Sequence, residues 1–256
     1  MCNFRLLFSV HWEGIKDTNH GKLVFLYIDG IRQGSTFLKF LLCLYVSGFV
    51  GPEYADVVFL VDSSDHLGAK SFPLVKTFIN RMISSLPIEA HKYRVALAQY
   101  SDQLHSEFQL GTFKSRNPML NHLKKNFGFV GGSLRIGQAL REAHRTYFSR
   151  PDSGRDKKQF PPILVVLASA ESEDDVEEPS KALRGDGVRI ISVGLQSASE
   201  QELKAMATGQ FHFNLRSARD LGAFAPNMTQ IIKEATQYRE VATDDILVEG
   251  RFRACG

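Results

Sequence analysis

The sequence has few cysteines, little net charge and no apolar run long enough to span a membrane. Its three cysteines, Cys2, Cys43 and Cys255, all lie outside residues 54–238, the stretch expected to fold as one domain. An odd number cannot all pair internally, and none has metal-ligand spacing, so a disulfide framework and a cysteine metal site are both excluded. Cys255 is at most a candidate for pairing with another chain. The formal net charge is +3, with Lys and Arg scattered rather than massed in one run, which argues against a nucleic-acid partner. No Gly-x-Gly-x-x-Gly or Walker loop follows a strand, so the phosphate cradle of the common nucleotide folds is missing. A Gly-x-Ser-x-Gly elbow is absent around Ser63 and Ser64, and the eight histidines are dispersed. The expectation is therefore no enzyme and no catalytic residues.

What is present is an alternation of apolar strands, polar loops and amphipathic helices. Val57-Val58-Phe59-Leu60-Val61 runs directly into Asp62-Ser63-Ser64. A short, β-branched, unalternating run suits a strand buried on both faces of a parallel sheet, and its polar end falls where such sheets bind ligands. A helical stripe follows over 68–86, stopping before Pro87. Strands are expected at Tyr93–Tyr100, His105–Leu110 (a short edge strand in a hairpin), Ile163–Ala168, Val188–Leu195 and around Phe211 and Phe213. Helices are expected at 118–127, 133–148 with Ser133 as a cap, 176–183, 199–207, and 218–238 as one helix or a pair. A polar insert fills 149–159, and 239–256 reads as a polar tail. The sum is an α/β fold, doubly wound and Rossmann-like, with a mostly parallel central sheet, one antiparallel edge strand and helices on both faces.

The amino-terminal quarter reads differently. Residues 1–34 form a poorly patterned extension, in which Leu23–Ile28 has strand composition without an evident partner. Residues 35–51 are a hydrophobic, signal-peptide-like segment: Phe40 to Gly51 is apolar, follows Arg32 and Lys39, and offers Val46 and Gly48 for cleavage after Gly48. It falls short of the roughly 20 residues a membrane span needs. A signal ordinarily begins near the initiator, and no Met lies between Met1 and Met82. The two readings are a signal region carrying an extension, or a hydrophobic segment left exposed or tucked against the domain. The first implies a secreted protein of the extracellular matrix, the second a cytoplasmic one.

Four stretches together resemble a von Willebrand factor type A domain. They are Asp56 to Ser64, Phe129-Val130-Gly131-Gly132-Ser133, Gly137-Gln138-Ala139-Leu140, and Val188 to Gly194. The resemblance covers about residues 54–238 and is greatest to the A domains of the long collagen VI α chains, of which this chain looks like a short, single-domain relative. It implies an adhesion module of the extracellular matrix whose partners are matrix proteins, collagens or collagen VI chains among them. It also implies a metal-ion-dependent adhesion site at the carboxyl edge of the sheet, built from an Asp-x-Ser-x-Ser loop, a Thr and a second Asp. Mg²⁺ there would want octahedral oxygen ligands.

In this sequence Asp62 and Ser64 stand in the first two of those positions, but His66, Leu134 and Ser169 occupy the other three. Leucine offers no oxygen, imidazole is a poor partner for a hard cation, and the second carboxylate is gone. The five positions are therefore expected to be vestigial and no cofactor is expected. Recruitment of Glu171, Glu173, Asp174 or Asp175 to hold Mg²⁺ is the alternative, which would make this a domain gripping an acidic partner residue through the cation. Zn²⁺ on His66 with Asp62 or Asp65 lacks a second histidine at ligand spacing. Partner contacts are expected from the upper loops, through Asp62, Ser64, Asp65, His66, Gly132, Arg135, Ser169, Glu171 and Glu173. Asn227-Met228-Thr229 is a glycosylation acceptor, meaningful if the chain is exported. An intracellular protein-binding module is the further alternative.

Overall fold

The computed structural model describes residues 54–89, 91–149, 155–157 and 159–238 in full, and the backbone of 9–18, 21–29 and 39–47. The chain divides into two compact units, Met1–Gly51 and Pro52–Gly256. In the first, β1 (Ser9–Thr18), β2 (Gly21–Asp29) and β3 (Lys39–Ser47) form an antiparallel sheet in the order β1-β2-β3. The run Leu23–Ile28, expected to lack a partner, is the centre of this sheet and pairs on both sides. One of its partners, β3, comes from the signal-like segment. A short apolar run supports either reading, because strand-forming and signal-forming compositions overlap.

The second unit carries a six-stranded sheet in the order β6-β5-β4-β7-β8-β9. Its strands are β4 (Asp56–Asp62), β5 (Arg94–Tyr100), β6 (Leu104–Phe108), β7 (Pro162–Ala168), β8 (Arg189–Gly194) and β9 (His212–Asn214). All pair in parallel except β6, which returns antiparallel to β5. Six α-helices among the described residues cover it: α1 (Phe72–Ser85), α2 (Arg116–Lys125), α3 (Ile136–Ala143), α4 (Glu177–Gly185), α5 (Glu200–Met206) and α6 (Leu221–Gln237).

Strand β4 shows why the fold is doubly wound. Every residue in it is buried, and because successive side chains point to opposite faces it feeds two cores. Val57, Phe59 and Val61 join α1, α2 and α6 on one side of the sheet. Val58 and Leu60 join α3, α4 and α5 on the other. From β4 the chain first builds outward through β5, then crosses back to place β7 on β4's other flank. The winding direction reverses between β4 and β7, and this is the position where open α/β sheets form a crevice beyond the strand ends.

Three details depart from the sequence expectation. Helix α1 begins at Phe72 rather than at 68, since Gly68 sits at φ 77° and Pro73 occupies the first turn. Ser133 does not cap α3. The helix starts at Ile136, whose amide donates to the Ser172 hydroxyl at 3.0 Å, and the next two amides, Gly137 and Gln138, donate to the Asp174 carboxylate at 2.8 and 2.6 Å. The end of that stretch, His144–Phe148, widens into a π turn.

The last helix contains Pro226, whose missing N–H leaves the Gly222 carbonyl, four residues earlier, without its helical donor. Arg81 of α1 fills the gap, donating from Nη1 to the Gly222 oxygen at 2.7 Å. Arg81→Ala is therefore expected to cost about 1 kcal/mol, lowering the thermal midpoint by about 2–4 °C in a domain of this size. An unchanged melting curve would show that solvent satisfies the carbonyl equally well.

Candidate functional site

At the carboxyl end of β4, Asp62 closes the crevice over the switch point. One carboxylate oxygen accepts the Ser64 amide at 2.7 Å. The other accepts the Ser169 amide at 2.9 Å and the Ser169 hydroxyl at 2.5 Å, from the end of β7. Asp62, Ser64 and Ser169 are all fully buried. A carboxylate in this position is tolerable because three donors solvate it in place of water. Its charge is felt nearby: burial first, then Asp62, push the Tyr100 phenol well above its usual range. Tyr100 donates instead to the Leu167 carbonyl at 2.8 Å, stitching β5 to β7 beneath the site.

The loop after β4 and the loop 128–135 zip together through their backbones. Gly131 N–H donates to the Ser63 carbonyl at 2.8 Å, Asp65 N–H to Gly132 at 2.9 Å, and Val130 N–H to the Ser63 hydroxyl at 2.9 Å. Gly132 sits at φ 106°, and a Cβ there would meet an Asp102 carboxylate oxygen at 2.7 Å. That same carboxylate receives the Ser133 amide at 2.7 Å and the Ser133 hydroxyl, and these bonds hold Asp102 below the ordinary carboxylate range. The acidic loop joins from the other side, with Glu173 N–H on the Leu134 carbonyl at 2.9 Å. Gly137 lets it approach, since a Cβ on that residue would collide with the Asp175 carbonyl oxygen.

Hydrogen bonds join Asp62 to Ser64 and Ser169 at the strand ends, while the His66 and Leu134 side chains take no part in them. Leu134 is fully buried in the core shared with α3 and α4. Both Asp62 oxygens are engaged, and the Ser169 hydroxyl is spent on one of them. The Ser64 hydroxyl, by contrast, is buried and without a hydrogen-bond partner among the described residues. His66 is exposed, and with Asp65, Gly132 and Ser133 it lines an open depression of about 390 Å³. Among the described residues, no three His, Cys, Asp or Glu side chains converge as a metal cluster would.

Of the nine residues expected to contact a partner, Asp62, Ser64 and Ser169 lie below the surface, because the crevice that gathers them also covers them. Asp65, His66, Arg135, Glu171 and Glu173 are exposed and Gly132 is half-buried. Arg135 approaches Glu173 at 3.7 Å with both side chains about half exposed. The acidic run 171–175, read as a solvated loop, is partly structural. Asp174 caps α3, Asp175 receives the first amides of α4, and the Ser172 amide donates to Glu202, whose carboxyl burial pushes upward. Asp102 was missed by the sequence reading, although a carboxylate just past the end of β5 was the available signal.

An open, doubly wound α/β domain with three loops drawn together over its switch point defines the class. The chain belongs to the von Willebrand factor type A domain family, whose pattern matches residues 56–227. It is 83% identical over 199 residues to the mouse (Mus musculus) collagen alpha-6(VI) chain, covering 78% of this chain and 9% of that one. It is 77% identical over 194 residues to the human (Homo sapiens) collagen alpha-5(VI) chain, covering 76% and 7%. Mouse matrilin-2 is 30% identical over 189 residues, covering 71% and 19%. The chain thus spans under a tenth of the collagen VI relatives. Proximal thread matrix protein 1 from the mussel byssus shares the fold, with TM-score 0.63, 20% identity, and coverage of 72% of this chain and 47% of that one. That structure has a zinc-occupied MIDAS motif. No helix among the described residues is long and apolar enough to cross a membrane.

The hydrogen bonds separate the two best-placed residues. Ser64→Ala removes an orphan hydroxyl and is expected to be neutral or to stabilise by up to about 1 kcal/mol. Asp62→Ala strands two amides and a hydroxyl and is expected to cost about 2 kcal/mol or more. Chemical denaturation of the two variants measures both, and equal destabilisation would mean that the Ser64 hydroxyl has a partner after all.

Proposed function

We propose that the chain is a non-enzymatic protein-interaction module of the extracellular matrix, with a degenerate metal-ion-dependent adhesion site. The observation that carries this reading is the fate of Asp62, whose oxygens serve Ser64 and Ser169 while Leu134 fills the place of an oxygen donor. One free neutral hydroxyl does not make a site for a hard divalent cation. The residues present do not fit Mg²⁺, and recognition falls to the exposed rim formed by Asp65, His66, Arg135, Glu171 and Glu173. Non-enzymatic action is supported by the burial of Ser63 and Ser64: the Ser63 hydroxyl accepts the Val130 amide and the Ser64 hydroxyl has no partner, so neither has a base. The high identity to collagen VI chains supports matrix partners, collagens or collagen VI chains among them.

Millimolar Mg²⁺ or Mn²⁺ is expected to leave the melting temperature unchanged. A working site would add about 2.7 kcal/mol at a hundredfold excess over its dissociation constant. The double variant Leu134→Thr, Ser169→Asp is expected to gain a cation-dependent upward shift, because it restores an oxygen and a carboxylate at the crevice. Binding to immobilised matrix proteins is expected to persist in EDTA and to weaken with ionic strength, since exposed charge pairs are each worth up to about 1 kcal/mol and are screened. Collapse on chelation, with rescue by Mg²⁺, would instead establish the metal-dependent alternative.

Export through the 35–51 segment is part of the same proposal. Protein recovered from medium is expected to begin near residue 49 and to carry glycan on Asn227, which is exposed on α6. Amino-terminal sequencing and glycosidase digestion check this. A chain found only in the cytosol and beginning at Met1 or Cys2 would establish the intracellular alternative.

A further inference from the structure

Positive charge that is scattered in sequence is gathered on one side of the sheet. Residues 66–88 and 108–141 contain no Asp or Glu, and they include α1 and α2, which pack side by side on the same core. The two helices run antiparallel, as two bonds show: Lys76 Nζ donates to the Phe127 carbonyl at 2.8 Å, and Arg116 Nη2 to the Leu86 carbonyl at 3.0 Å. Lys70, Lys76, Lys124 and Lys125 therefore meet at the upper end, with Lys114 and Arg116 at the lower end. All but the half-buried Lys76 are exposed, and among the described residues none pairs with a carboxylate. From Arg116 to Lys124 the charge extends about 12 Å at 1.5 Å per residue.

The opposite side differs in kind. There Arg135, Arg141, Lys181 and Lys204 pair with Glu173, Asp174, Glu177 and Glu200. Glu107, which reaches α2 at His122, is taken by that residue and by Gln99. The α1–α2 face is thus a cationic strip whose own helices carry no carboxylate, suited to an extended polyanion rather than to a small anion, which would need a cradle.

We propose that this strip binds sulfated polysaccharide. The choice of polyanion rests on the extracellular reading above, since sulfated chains are the extended polyanions of that compartment; the strip itself does not depend on it. Its contacts would be sulfate groups on Lys124, Lys125 and Lys76 at one end and on Arg116 and Lys114 at the other, leaving the upper loops free for a protein partner.

The test is titration of the purified full chain with a size-defined heparin oligosaccharide at physiological salt. Lys124→Glu/Lys125→Glu is compared with Lys181→Glu/Lys204→Glu, which makes the same change in net charge on the opposite side, and Lys114→Glu probes the lower end. The expected result is at least tenfold weaker binding for the α2 pair, an intermediate loss for Lys114→Glu, less than a twofold change for the control, and no binding of desulfated heparin. Equal loss in both double variants, no binding at all, or binding of poly-glutamate or duplex DNA as tight as heparin would overturn the proposal. The readout uses purified chain, so these failures leave export untouched, while a chain retained in the cytosol fails the sequencing and glycan test without altering this affinity.

Discussion

The upper half of the domain depends on one buried carboxylate. Asp62 sits where the winding of the sheet reverses, and it joins the loop after β4 to the end of β7 through three donated hydrogen bonds. A buried charge is tolerated only when it is solvated by the protein, so this arrangement holds Ser64 and Ser169 in place. The loop 128–135 then closes onto the result through the amides of Val130 and Gly131 and the carbonyl of Gly132. A divalent cation in such a crevice would compete with the Ser169 donors for the same carboxylate. The Ser169 amide and hydroxyl already occupy one of its oxygens.

The same geometry explains which residues of these loops remain exposed. Burial at the crevice withdraws Asp62, Ser64 and Ser169 from the surface, while Asp65, His66 and Arg135, each next in sequence to a buried residue, stay exposed. The acidic loop is held by its own interactions: Asp174 on the amides of α3, Asp175 on those of α4, and Gly137 permitting close backbone approach. Glu171 and Glu173, exposed and outside those caps, are consequently presented from a loop held in place. A fixed charge loses less side-chain and loop entropy on binding than a mobile one does.

Charge is sorted by the sheet as well. Among the described residues, Lys70, Lys114, Lys124, Lys125 and Arg116 around α1 and α2 pair with no carboxylate, whereas Arg135, Arg141, Lys181 and Lys204 on the other side do, although the net charge of the whole chain is only +3. A small net charge therefore conceals a strongly polarised surface, and the choice of partner follows the local field rather than the total.

By itself the sequence determined the α/β class, the strand that anchors it and the family. The unbroken apolar run of β4, its polar end and the alternation of periodicities are local properties, and local properties survive in a linear reading. The resemblance to a von Willebrand factor type A domain rested on the same short stretches. Only the tertiary structure decided what those residues do. That the Asp62 carboxylate is consumed by Ser169, that Asp102 rather than a helix amide holds Ser133, and that Asp174 caps α3 are contacts across 107, 31 and 37 residues. Strand order, and with it the switch point, is equally non-local. The pairing of β2 with β3 and the cationic strip on α1 and α2 depend on which segments lie side by side, and hydrogen bonds and charge act through distance in space, which a one-dimensional spacing does not contain.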